Sequence, residues 1–137
     1  MADFSGGHLS SDGGALLLRQ VDQSVGLSRR MASCFQDERD PRFVEHAVEE
    51  LVRQRLLALA LGYGDLNDHA DLRRDPLLAV AAGKTDPLGT ARGSDPGRAL
   101  AAPATLQRME TAIDHQASRY HRLIAKPARK ARTSCDR

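Results

Sequence analysis

Aromatic side chains are scarce in this chain: tryptophan is absent, and Phe and Tyr together make up only 4% of 137 residues. A core without large rings must be filled by Leu, Val and Ala, which favours packed helices over sheets. Cysteine is equally thin. Cys34 and Cys135 stand far apart with no CxxC and no His at metal-ligand spacing, so two free thiols are expected rather than a disulfide or a metal site. No apolar run approaches the roughly 18 residues of a membrane span, and Met1 to Leu9 lacks the basic-then-apolar order of a signal peptide, so the expected address is the cytoplasm. Convincing apolar/polar alternation is missing too, and β-branched residues are scattered, which leaves no candidate strand.

What is present is an ordinary globular composition, 41% hydrophobic and 28% charged, in a length suited to one modest domain. The net charge of +2 conceals a division. Residues 119–137 hold seven Arg or Lys against Asp136 alone, a net of +6, which leaves −4 for residues 1–118. Bulk basicity therefore argues for nucleic acid only through the last nineteen residues.

Helix signals follow one another along the chain. Ser10, Ser11 and Asp12 can cap a helix over about 12–24, stopped by Gly26, after which Ser28 caps a short turn through Phe35; the outline is helix-turn-helix-like. Asp40-Pro41 predicts the start of the longest helix, running to Leu61, with Glu45, Glu49 and Glu50 early and Arg53 and Arg55 late. Leu56 to Leu61 is apolar all round, which implies burial in the centre of a bundle or against a partner. Short helices are predicted over about 65–73 and, from Asp75-Pro76, to Gly83. Residues 84–98, rich in Gly, Pro and Asp, read as an exposed loop, and Leu106, Met109, Ile113, Ala117, Tyr120 and Ile124 predict a last helix over about 103–124 that Pro127 ends. The expected fold is all-α, a small bundle of about five to six helices. Its organisation is a helical domain at 1–83, a loop at 84–98, a C-terminal helix within 99–125 and a disordered basic tail at 126–137.

Several chemistries can be set aside. Gly83-Lys84-Thr85 lacks the preceding glycine of a phosphate loop, where Leu78 stands instead. Asp65 to Asp71 resembles the start of a calcium loop, but Ala70 and Pro76 occupy the positions of its glycine and its bidentate glutamate, so helix capping explains these acids better. The five histidines form no HExxH or i,i+4 pair, and His46 reads as a core-edge or surface residue. No GxSxG elbow is present. Arg73 and Arg74, between Asp71 and Asp75, suit a self-paired surface as well as they suit phosphate.

Four stretches, in this order and spacing, resemble the amino-terminal region of DDE-type insertion-sequence transposases: Ser11 to Arg19 with Val21-Asp22; Asp37 to Arg42; His46 to His69 with Leu72-Arg73-Arg74-Asp75-Pro76; and Ala104 to Glu110. They span residues 4–124, with an altered loop at 84–98. The resemblance implies a protein that binds the terminal inverted repeats of a mobile element. In the intact family an RNase-H-like domain holds two divalent metal ions such as Mg on Asp, Asp and Glu, clamping both oxygens of phosphodiester transfer. The first of those acids lies downstream of the Thr105–Glu110 helix, so no residue of this chain inherits a catalytic role or a cofactor, and a frameshift or early stop is the expected cause. The function this implies is that of the DNA-binding and assembly region of a transposase, inactive by itself. Arg53, Arg55, Arg73, Arg74, Arg108, Arg119 and Arg122 are the expected DNA contacts. The alternative is a helical interaction module that pairs through Leu56 to Leu61, with its own kind or with an intact transposase, and inhibits it. No membrane partner is expected.

Overall fold

The computed structural model describes residues 12–90, 98–113 and 122–126. Helix α1 (Ala15–Val25) ends at Gly26, whose φ of 68° is left-handed, and the chain turns at once into α2 (Leu27–Ala32). Only glycine takes that conformation without cost. The corner is fixed from inside: the Asp22 carboxylate accepts the backbone N–H of Ser28 at 2.8 Å and its hydroxyl as well.

Asp40-Pro41 starts a helical element, but a much shorter one than the sequence predicts. Asp40 accepts the Arg42 N–H and caps a single 3₁₀ turn, Pro41–Phe43, after which Val44 is extended and the α-helix proper, α3, spans only Val48–Ala60. The reason is tertiary. His46 is buried beneath Lys84, which holds both it and Glu50, and a continuous helix from Pro41 would carry His46 out of that contact. Ala47 then opens α3, its N–H donated to Glu50 Oε2 at 3.3 Å.

After α3, Asp65 caps a 3₁₀ turn (Leu66–Asp68) that leads into α4 (His69–Leu72). Asp75 and Pro76 open α5 (Pro76–Ala82), which Gly83 closes at φ 95°, both ends as the sequence predicts. Helix α6 covers Pro103–Glu110 and continues as a 3₁₀ turn, Thr111–Ile113.

The all-α expectation is corrected here: the protein is mostly helical but contains a small antiparallel sheet. Strand β1 (Phe35–Asp37) pairs with β2 (Leu123–Ala125), Phe35 opposite Ala125 and Asp37 opposite Leu123. Lys126 N–H to Cys34 O at 2.7 Å and Glu38 N–H to Arg122 O at 2.8 Å extend the ladder at each end. The C-terminal helix expected to reach residue 124 thus gives way to a strand, because Leu123 is buried in the core and Phe35 packs against the same cluster. Lys126, expected in a disordered tail, belongs to the ladder, while Arg119, Cys135 and the tail from 127 lie outside the described residues.

Two apolar clusters make the core and meet along α3. Leu57 and Ala58 join Ala15, Leu78, Ala81, Ala99 and Leu100 in the first. Leu51 and Val52 join Ala101, Leu106, Met109 and Leu123 in the second. Between them sits Gln54, only 2% exposed, whose amide takes both backbone groups of Ala101: Oε1 accepts its N–H at 2.9 Å and Nε2 donates to its C=O at 3.0 Å. The second amide hydrogen goes to His69 Nδ1 at 3.1 Å. His69, fully buried, is therefore the Nε2–H tautomer, and burial lowers its pKa.

Replacing Gln54 with Leu, a substitution of similar volume, strands three buried polar groups, each worth about 1–3 kcal/mol when left unpaired. Urea denaturation of Gln54→Leu is expected to show a loss of at least about 2 kcal/mol; a midpoint unchanged from wild type would contradict the bridging role.

Candidate nucleic-acid interface

The cations singled out from the sequence divide by burial. Arg53 and Arg55 face inward. Arg53 donates to Asp22 Oδ2 at 3.1 Å and Ala82 O at 3.0 Å, and it pairs with Glu49. Gly83 leaves room for it: a side chain there would meet its Nη1 at 3.1 Å. Arg55 spans Glu110 at 2.5 Å and the carbonyls of Tyr63 and Gly64. Both guanidiniums knit helices together, and phosphate would have to displace several charge-assisted bonds to reach them. Arg73 is half-buried, with its carbonyl accepting Leu100 N–H at 3.3 Å; Arg74 is exposed, 3.9 Å from Asp71. Arg108 stands exposed on α6 and Arg122 exposed beside β2.

Around the sheet the exposed cations concentrate. Along β2 the buried Leu123 faces the core, so the period-two alternation of a strand puts Arg122, Ile124 and Lys126 on the outer face, Arg122 and Lys126 both exposed. At one end the Lys126 ammonium donates to Ser33 O at 2.8 Å, at the C-terminus of α2, whose last turn carries the exposed Arg29 and Arg30. At the other end Arg122 lies close to Asp40: the hydrogen bonds from Arg42 hold the Asp40 carboxyl below its ordinary value, and the charge of Arg122 adds to this. The acids nearby are largely occupied. Asp37 is bound in a fork by Arg39, Asp40 by Arg42, and Glu38 accepts from Gln36.

Sequence reasoning named Arg122 but passed over Arg29, Arg30, Arg42 and Lys126. Lys126 was visible as the start of a basic run; the others carried no signal until the sheet brought them near it.

A second polar cluster fixes the loop that leads into α3. Lys84 Nζ donates to His46 Nδ1 at 3.1 Å and to Glu50 Oε2 at 2.7 Å, and Arg39 Nη2 donates to the His46 carbonyl at 3.1 Å. An ammonium can only donate, so His46 must accept at Nδ1 and stay neutral. Burial pushes its pKa down to about 4, the Lys84 charge adds to this, and Glu50 opposes it.

The divalent metals that the family resemblance implies find no fit among the described residues, where no three His, Cys, Asp or Glu side chains gather as ligands. The half-buried carboxylates Asp22 and Glu50 are committed to cations, Asp22 to Arg53 and Glu50 to Lys84.

The transposase DDE domain group 1 family model matches residues 1–134, nearly the whole chain. The protein belongs to that family and has a transposition-related role. No curated protein and no solved structure matches it. No helix among the described residues is long and apolar enough to cross a membrane.

His46 gives a pH dependence with a definite sign. Its pKa falls from 6.5 to about 4 on folding, so between those values the unfolded chain binds the extra proton. The stabilisation is full above the unfolded value and is lost as pH falls through the folded one. Urea midpoints are expected to drop between pH 6.5 and 4 by an amount that His46→Gln, which keeps an acceptor for Lys84, reduces; His69, shifted the same way, and at the acid end the lowered carboxyls of Asp22, Asp37 and Asp40 supply the remainder. Equal slopes in the two proteins would refute the assignment to His46.

Proposed function

We propose that this region of the transposase binds DNA through the outer face of the two-stranded sheet, and so takes part in holding the element's terminal inverted repeats. The observation that carries this reading is the placement of Arg122 and Lys126 on one face of β2, next to the basic end of α2. Four residues along extended backbone separate their Cα atoms by roughly 13 Å, far enough for the two cations to address different phosphates. Arg74 and Arg108, also exposed, are further phosphate candidates. Arg53 and Arg55 shape the fold that presents the face. Family membership makes DNA the natural partner.

Each phosphate contact released on mutation removes one counterion from the salt dependence. Arg122→Ala and Lys126→Ala are each expected to weaken binding to duplex DNA and to lower the slope of log K against log salt by about one. Unchanged slopes would place the DNA elsewhere.

A second role as an assembly surface is favoured by the exposed apolar side of α1. Leu17, Val21 and Val25 follow one another at four-residue spacing on α1 and are all more than half exposed. They border a groove of about 240 Å³ lined by Leu18, Leu27, Leu56 and Ala60 among others. The exposed polar neighbours on α1, Gln20, Gln23 and Ser24, are uncharged, and the two charged residues lining the groove, Asp22 and Arg53, are paired with each other, so little net charge opposes a second transposase chain there. Light scattering is expected to show a species of twice the 14.9 kDa chain mass that Val21→Glu converts to monomer; a wild-type monomer at every concentration would exclude this role.

A further inference from the structure

Phe43 is the most exposed large hydrophobic side chain among the described residues, at 83%. It belongs to neither core cluster, so the fold gains nothing from it. Yet it is presented on a stiff base. Pro41 fixes the first residue of its 3₁₀ turn, Asp40 caps that turn, and the same carboxylate grips the Arg42 guanidinium at 2.7 Å. Arg42 in turn lies 5.6 Å from the centroid of the Phe43 ring. Cation and ring form one unit, while the high exposure of Phe43 leaves ring surface open to a partner.

The surroundings decide what that unit suits. Pro41, Arg42 and Glu45 beside it are exposed, and two of the three are charged, unlike the charge-depleted centre of a protein interface. Asp40, which carries the turn, lies two residues after Glu38, whose N–H donates to Arg122 O at 2.8 Å, so the aromatic stands near the end of the ladder that carries Arg122. An aromatic ring backed by an arginine, beside phosphate-binding cations, is the chemistry that stacks on a nucleobase free of its own stack.

Resting on the DNA-binding reading above, we infer that Phe43, with Arg42 behind it, is the stacking surface for an unpaired nucleobase of the bound DNA. A base inside an intact duplex offers no open face, so Phe43 discriminates between paired and distorted DNA, whereas Arg122 and Lys126 do not.

The test compares the full chain and its variants on two duplexes of the same sequence, one fully paired and one with a single bulged adenine. Stacking on one base is worth enough that Phe43→Ala is expected to weaken binding of the bulged duplex roughly ten-fold while changing the paired one less than about two-fold. Thermal melting should be unchanged, because the ring is exposed. Phe43→Trp is expected to keep the preference, and as the only tryptophan in the chain its emission should be quenched by the bulged duplex more than by the paired one. Equal loss on both duplexes, no loss on either, or tryptophan emission indifferent to the bulge would overturn the inference. So would a Phe43→Ala change confined to oligomeric mass, which would mark a protein contact. The Arg122→Ala, Lys126→Ala double variant separates this from the underlying reading: if it weakens both duplexes while Phe43→Ala does nothing, the DNA face stands and the stacking role falls. If wild type binds neither duplex, both fall.

Discussion

One buried amide holds this molecule's two halves in register. Gln54 sits at the seam between the two apolar clusters, with Leu51 and Val52 on one side and Leu57 and Ala58 on the other. Its two bonds to Ala101 fix the segment that re-enters the body 47 positions later, placing Ala99 and Leu100 in one cluster and Ala101 in the other. A purely apolar residue there would pack but would not specify register, since apolar contacts carry no direction. A buried polar group that can be satisfied in only one alignment does specify it. Helix α6, which follows Ala101 directly, inherits its position from that alignment.

The same core sorts the cations. Arg53 and Arg55 lie on α3, flanking Gln54, and their partners are Asp22, 31 positions back, and Glu110, 55 positions on. They work as tethers between the central helix and the elements around it. At β2 the sorting runs the other way: Leu123 enters the second cluster, and alternation turns its neighbours Arg122 and Ile124 outward. The basic face is thus a by-product of anchoring a short strand through one leucine. Asp37 and Asp40 are neutralised locally by Arg39 and Arg42, while Glu38, bonded through its N–H to Arg122 O, keeps its charge beside the two cations.

What could be read from the chain follows the range of the interactions. Asp75-Pro76 through Gly83 was legible because cap, first-turn proline and left-handed stop are all local. Asp40-Pro41 carried the same signal and gave only one 3₁₀ turn, because the contact that breaks the helix comes from Lys84, 38 positions away from His46. The last helix misled for a related reason: Ile113 and Ile124 fit a helical period, but β2 is three residues long and its partner strand lies far back in the sequence, Asp37 opposite Leu123. The charge of Arg53 and Arg55 was legible, but not their pairing with Asp22 and Glu110, because those carboxylates are distant in the chain. The transposase resemblance was legible because it rested on ordered motifs.

These constraints converge on the short link between β1 and α3. Arg39 ties its start to its end, gripping Asp37 with one arm and the His46 carbonyl with the same terminal nitrogen. Asp40 and Arg42 brace the middle, and Lys84 clamps His46 and Glu50 at the exit. Such bracing is costly in side-chain entropy, with long cations held in single geometries. A linker that had only to connect a strand to a helix would not need it. The bracing is intelligible if the orientation of what the link displays matters, and what it displays is Phe43. Neutral His46 is part of that arrangement, because a protonated ring could no longer accept from Lys84 and two positive charges would face each other where the clamp now closes.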